Sequence, residues 1–218
     1  MRPLTDTCPK PLLMAGGKPL IQWHIEALVK AGVHELIINH AHLGAQIERT
    51  LGDGSPFGAS ISYSPEHTAL ETAGGIRLAL DRLGASPFLV INGDVATDWP
   101  MSRALEVGQR WPSGQLAHLV LVPNPEHNPM GDFCLNDRLV SDRDQHSPAY
   151  TFSGIGLYHP SLFEVIAPGS VAKLAPLLRQ AMSQGKVTGE IHPGFWMDIG
   201  TPARLAELDA HLKHRRTT

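Results

Sequence analysis

Cysteine is scarce in this 218-residue chain: Cys8 and Cys134 stand far apart and outside any CxxC spacing. That excludes a disulfide framework and leaves two free thiols, as expected of a reducing compartment. An excess of positive charge is also lacking. The formal net charge is −3 at pH 7, so no basic field exists to grip a nucleic-acid backbone, and no nucleic-acid partner is expected. No apolar run approaches the ~20 residues of a membrane span. The opening Met1-Arg2-Pro3-Leu4-Thr5-Asp6 has no apolar stretch of the kind a secretory leader carries. The expectation is a cytoplasmic protein with no membrane partner. Twelve histidines are present but scattered. Without an HExxH or Cys-His grouping, even the close pair His40 and His42 reads as solvated or hydrogen-bonded rather than metal-bound.

What is present describes a folded body. Apolar residues make up 42% of the chain and charged residues 18%, a balance that supports a core rather than disorder. The length suits one domain, and no repeat, low-complexity tract or linker divides it, so residues 1–218 are expected to form a single domain.

Hydrophobic periodicity gives the first half a regular rhythm. Ile21, Ile25, Leu28 and Val29 form one stripe of a helix over 20–31, which Gly32 closes. The short isoleucine-rich run 35–39 reads as a strand, 44–51 as a helix, and 61–63 as a strand. Another helix over 72–83 is expected, with Thr72 as its N-cap. Phe88-Leu89-Val90-Ile91 then suits a central strand buried on both faces. The alternation argues for a parallel sheet covered by helices. Later strands are expected at 116–122, 133–135, 139–140 and 150–158, and helices at 175–183 and from Thr201-Pro202 onward. A doubly wound domain normally opens with a strand and a Gly-rich turn; the turn-like Arg2-Pro3-Leu4-Thr5 stands here instead.

Four segments can carry chemistry. Asn92-Gly93-Asp94 follows the apolar run, which puts Asp94 at the carboxyl end of a strand, where open α/β sheets keep their ligands. A carboxylate there can hold Mg²⁺, although Asn-Gly and Gly-Asp are equally turn chemistry. Asp198, in Trp196-Met197-Asp198-Ile199-Gly200-Thr201, is a second carboxylate that matters if the fold brings it beside Asp94; otherwise it is a turn or capping aspartate. Asp98, near the first, is expected to be solvated. Lys10 lies between Pro9 and Pro11, whose stiff φ angles reduce the entropy lost in holding its ammonium on a phosphate; a solubilising lysine is the alternative. Gly74 and Gly75 in the first turn of a helix cost about 1 kcal/mol each against alanine. They permit close approach of either a ligand or another element.

In order along the chain, these segments resemble the sugar-phosphate nucleotidyltransferase family. The matching pieces are Arg2-Pro3-Leu4-Thr5 with Pro9-Lys10-Pro11-Leu12, Gly17-Lys18-Pro19-Leu20-Ile21, Leu70 to Gly75, Asn92-Gly93-Asp94 and Trp196 to Thr201. The resemblance implies a Rossmann-like three-layer α/β/α nucleotidyltransferase fold with a mixed sheet. It also implies the reaction of a nucleoside triphosphate with a sugar 1-phosphate to give a nucleotide sugar and pyrophosphate. It places Mg²⁺ on Asp94 and Asp198 and phosphate charge on Lys10. Glu71 and Thr72 fall on the base side, and Asn92, Asp132 and Gly154 on the sugar side. Asn39 to Gly44, Val122-Pro123-Asn124-Pro125 and Thr151 to Ile155 are similar to the branch that moves UMP from UTP to N-acetylmuramate α-1-phosphate in cell-wall recycling. Guanylyl transfer to mannose 1-phosphate is the alternative.

One family feature is missing. The first strand and its Leu-Ala-Ala-Gly-x-Gly-x-Arg loop, whose N–H groups cradle a triphosphate, would stand just before Met1. Arg2 is not the loop's arginine. The expectation is a chain about a dozen residues short of the family pattern, and, if that start is genuine, a non-catalytic nucleotide-sugar-binding subunit.

Overall fold

The computed structural model describes residues 1–217. The first elements are α1 (Leu4–Thr7), β1 (Met14–Ala15), β2 (Lys18–Pro19), α2 (Leu20–Lys30), β3 (Glu35–His40), α3 (Gly44–Leu51) and β4 (Ser60–Pro65). The middle holds α4 (Glu71–Leu83), β5 (Phe88–Ile91), β6 (Val95–Thr97), α5 (Ser102–Gln109), β7 (Ala117–Val122), β8 (Phe133–Asn136) and β9 (Leu139–Asp142). Then follow β10 (Ala149–Tyr158), α6 (Leu174–Ser183), β11 (Val187–Ile191), β12 (Trp196–Asp198) and α7 (Pro202–Thr217). Contacts divide the chain into two compact units. The first takes Met1–Thr68, Asn92–Ser102 and the chain from Phe195; the second takes Ala69–Ile91 and Arg103–Gly194.

In the first unit, β3 and β4 pair in parallel from Glu35↔Ser60 to His40↔Pro65, with α3 as the crossover between them. The apolar stripe of α2 turns inward: Ile21 and Ile25 join Ile47 and Leu51 of α3 and Ile61 of β4 in one core. Full burial of each such side chain stabilises by about 1.5–3 kcal/mol. A second cluster joins Leu13, Ala15 and Leu20 to Ile199 and to Leu208 of α7. Two antiparallel ribbons complete the unit, β1 with β2 and β6 with β12.

The second unit is built on a six-stranded sheet in the order β5-β10-β7-β11-β9-β8, with β8 also pairing with β10. Strand β7 is buried along its whole length, flanked by antiparallel β10 and parallel β11. Its Leu119 and Leu121 pack in one core with Ile76 and Leu80 of α4 and with Leu178 and Met182 of α6.

Three expectations need correction here. The run Phe88–Ile91 is not a central strand buried on both faces. Among the described residues it pairs with β10 alone, at the edge of its sheet, and all four residues are half-buried. The alternation alone points to a parallel sheet, but the six-stranded sheet is mixed, as the family resemblance implies: β7 and β11 are parallel while the partners of β10 run antiparallel. Finally, Thr72 does not cap α4. The helix begins at Glu71, itself at a left-handed φ of 63°, and Leu70 at the cap position makes no side-chain cap bond. The exposed N–H groups are satisfied otherwise, since Ala73 and Gly74 both donate to the Ala172 carbonyl at 3.0 and 3.1 Å. A Cβ on Gly74 would stand 2.4 Å from the Ser170 carbonyl oxygen. Close approach of the 170–172 segment thus accounts for that glycine.

Candidate active site

Asn92-Gly93-Asp94 forms a turn, and it stands at the carboxyl end of β5, as its place after the apolar run implied. Gly93 and Asp94 form the turn that joins β5 to β6, with Val95 N–H directed at the Asn92 carbonyl at 3.4 Å, and the turn leaves Asp94 half-exposed. Two neighbours shape this turn. Pro11 lies 3.3 Å from where a Gly93 Cβ would stand. Lys10 occupies a short 3₁₀ turn, Lys10–Leu12, whose Leu12 is anchored in the core. The Lys10 ammonium therefore reaches the Asp94 carboxylate, Nζ to Oδ2 at 2.8 Å, with both side chains about a third exposed at 34% and 36%.

The ribbon of β6 and β12 brings in the other carboxylate. Trp196 opposes Thr97, Met197 opposes Ala96 and Asp198 opposes Val95. One residue further on, Ile199 N–H donates to the Asp94 carbonyl at 2.7 Å. Asp94, the residue before β6, and Asp198, the last of β12, lie 104 positions apart in the chain (198 less 94) and thus come to the same end of one ribbon. Ile199 itself is fully buried and fastens the turn to the core of the unit.

Two side chains at this place lie outside the sequence expectations. Arg204, in the first turn of α7, folds back so that its Nη1 donates to Asp198 Oδ1. His24 of α2 is buried beneath the ribbon, and its Nε2 meets the Val95 carbonyl at 2.8 Å. Burial lowers the pKa of His24; the bond to Val95 and the charge of Asp94 act in the opposite direction but do not cancel it. The ring is neutral, and because a carbonyl only accepts, Nε2 carries the proton. A signal for His24 existed in the stripe Leu20, Ile21, His24 and Ile25, all buried on α2. None existed for Arg204, whose partner depends on how its helix leaves the ribbon.

The remaining expected residues are distributed differently. Asn92 is exposed on the same turn, and Asp98, beyond β6, is exposed as well. Glu71 and Thr72 are exposed in the first turn of α4, in the second unit. Asp132 is half-buried there, and its Oδ2 accepts the Phe152 N–H at 2.9 Å, which ties the segment before β8 to β10. Gly154 is buried at the register shift between Phe152 and Ile155, with a left-handed φ of 78° that a bulge requires and glycine supplies without strain. It can offer a ligand only its backbone.

The donor set suits a hard divalent ion. Mg²⁺ takes one or two carboxylates and fills its remaining positions with water and substrate phosphates. Asp94 and Asp198 supply such oxygens, and no group of three or more His, Cys, Asp or Glu side chains that could cage a metal occurs among the described residues. An ammonium and a guanidinium beside the same two carboxylates add donors of the kind that phosphate oxygens accept.

Known proteins share both the sequence pattern and the fold. The nucleotidyl transferase family matches residues 1–215. The chain is 54% identical, over 96% of its length and 92% of the relative's, to the N-acetylmuramate alpha-1-phosphate uridylyltransferase of Neisseria meningitidis serogroup B. It is 31% identical, over 93% of its length, to the mannose-1-phosphate guanylyltransferase catalytic subunit beta of Danio rerio, of which it spans only 58%. A Bacillus anthracis structure proposed to be a glucose-1-phosphate thymidylyltransferase shares the fold at a TM-score of 0.84 and 22% identity, over 98% of this chain and 90% of that one. HddC from Yersinia pseudotuberculosis does so at 0.76 and 20%, over 94% and 91%.

Proposed function

Because the chain belongs to the nucleotidyl transferase family, we propose that it transfers UMP from UTP to N-acetylmuramate α-1-phosphate. The products are UDP-N-acetylmuramate and pyrophosphate. The observation that carries the reaction class is the meeting of Lys10, Asp94 and Asp198 at one end of the β6–β12 ribbon. The base and sugar are supported by the 54% identity to the Neisseria uridylyltransferase, against 31% to guanylyltransferases that are much longer than this chain. The family match runs through segments of both compact units, which supports reading residues 1–218 as one nucleotidyltransferase domain.

In the proposed reaction an oxygen of the sugar phosphate attacks the α-phosphorus of UTP. The bond to the β-phosphate oxygen breaks in line, and pyrophosphate leaves with the electron pair. No covalent enzyme intermediate is required, so catalysis consists of positioning and charge neutralisation. Asp94 and Asp198 are the residues that would hold Mg²⁺, which when bound neutralises phosphate charge. Lys10 donates its ammonium to a phosphate oxygen of the nucleotide. Glu71 and Thr72 are assigned to the base, and Asn92, Asp132 and the backbone of Gly154 to the sugar. No helix among the described residues is long and apolar enough to cross a membrane. With two unpaired cysteines, the cytoplasm is the proposed compartment.

A matrix of nucleoside triphosphates against sugar 1-phosphates, read as pyrophosphate release, tests the reading on this chain and on a form extended by the codons upstream of Met1. UTP with N-acetylmuramate α-1-phosphate should give the highest rate. Asp94→Asn and Asp198→Asn should each lower it by more than the roughly 10–100-fold that outer partners of a metal ligand are worth, with little loss of fold. Faster turnover of GTP with mannose 1-phosphate, or none with any pair in either form, overturns the proposal.

A further inference from the structure

Both carboxylates at the ribbon end meet a cation. Lys10 is matched to Asp94, and Arg204 to Asp198. The second pair is a built arrangement rather than a chance surface contact. Thr201 Oγ1 accepts the Arg204 N–H at 3.2 Å, which starts α7 and sets the direction in which the arginine side chain leaves it. That side chain must then cross Gly200 to reach Asp198. A Cβ at Gly200 would stand 2.6 Å from Arg204 Nη2 and 3.1 Å from Asp198 Oδ2, so the absence of a side chain there leaves room for the guanidinium. The ion pair is also partly shielded, with side-chain exposures of 23% and 30%, so solvent screens it less than a fully exposed pair.

We propose that Arg204 is the resident counter-ion of Asp198 and that it keeps the free protein's affinity for a divalent cation low until the metal arrives with a nucleotide triphosphate. The inference rests on the metal reading of Asp94 and Asp198 given above. Two carboxylates opposed by two cations present no net charge to a bare divalent ion. One oxygen of Asp198 is moreover already occupied by a guanidinium donor. A metal bound to a triphosphate brings its own ligands and a large negative charge that competes for the nearby cations, so the guanidinium can release Asp198. Arg204 is thus a positioning residue. It acts through Asp198 and orders the loading of the site.

The test is a Mn²⁺ titration followed by electron paramagnetic resonance, with and without UTP, in which no turnover is needed. Without nucleotide, Arg204→Gln should bind Mn²⁺ about tenfold more tightly than the unmodified protein, the size of effect expected from removing one cation near a divalent ion. Arg204→Lys should restore the weak binding, since it returns the charge. Gly200→Ala, which retains both ionised groups but pushes the guanidinium off its seat, should shift affinity in the same direction as Arg204→Gln. With UTP present the difference should narrow. Unchanged or weaker Mn²⁺ binding in both Arg204→Gln and Gly200→Ala overturns the inference. Asp94→Asn and Asp198→Asn separate the two levels of the argument. If they do not weaken Mn²⁺ binding with UTP present, the metal site itself falls. If they do, while the Arg204 and Gly200 variants change nothing, only the role of Arg204 falls.

Discussion

His24 shows how much one side chain beneath the site can decide. It is buried, neutral, and donates from Nε2 to the carbonyl of Val95, the residue after Asp94. Burial is the main cause of its lowered pKa. The unfolded chain takes up a proton near the ordinary value of 6.5, which the folded chain refuses until a lower pH. The stability that neutral His24 contributes is therefore complete above that value and is lost as pH falls from it through the lower folded pKa. Glutamine at this position keeps an N–H donor for Val95 and does not titrate. Between about pH 7 and pH 5 the thermal midpoint of His24→Gln should fall less steeply than that of the unmodified protein. Equal slopes would remove His24 as the cause. At this scale the sequence already marked Asp94 by its place after an apolar strand, and Lys10 by its two prolines. His24 carried only the weaker mark of lying on a buried helix stripe.

At the scale of elements, the β1–β2 ribbon illustrates tolerance set by neighbours. Gly16 at its turn has a φ of 58°, and its N–H donates to Asp209 Oδ1 of α7 at 2.9 Å. A Cβ there would stand 2.7 Å from Leu212 Cβ and 2.9 Å from Trp23 Cζ2. Gly16→Ala should destabilise the protein by about 2–4 kcal/mol, from left-handed strain and overpacking together. Urea denaturation checks this, and a change below about 0.5 kcal/mol would mean that α7 yields at no cost. Helices α2, α3 and α6 were legible nearly to the residue, because a 3.6-residue stripe of Ile, Leu and Val is a local property. The β6–β12 ribbon was not. Three-residue strands carry too little periodicity, and their pairing joins segments about a hundred residues apart. The edge position of β5 was misread for a related reason. A continuous apolar run shows that a strand is to be buried, but not how many neighbours flank it.

Across the whole molecule, the chain passes between its two units repeatedly, so neither unit is a continuous stretch of sequence. The second unit takes α4 and β5 from residues before the Asn92–Ser102 excursion. Ala73, Ile76 and Leu80 of α4 lie in its main core, and β5 pairs with β10. Residues 103–194 expressed alone lack both elements. At about 1.5–3 kcal/mol for each large apolar side chain left without its burial, the deficit approaches the 5–15 kcal/mol that hold a domain together. That fragment should show no cooperative urea transition, whereas residues 69–194 should. A sharp transition in the shorter fragment would mean that the sheet from β7 to β11 suffices without α4.

The sequence by itself determined the family and its chemistry. It also determined most helices, because these depend on residue type and local spacing, and through its family resemblance it singled out Asp94 and Asp198 as the acidic pair to propose. Only the tertiary structure decided that Asp198 and Asp94 come to the same end of one ribbon, that Arg204 and His24 belong to the same place, that β5 lies at a sheet edge, and that Gly74 serves a backbone contact. Each of these depends on strand register or on where a helix leaves a ribbon. Those are set by packing between distant segments, and no local pattern of side chains encodes them.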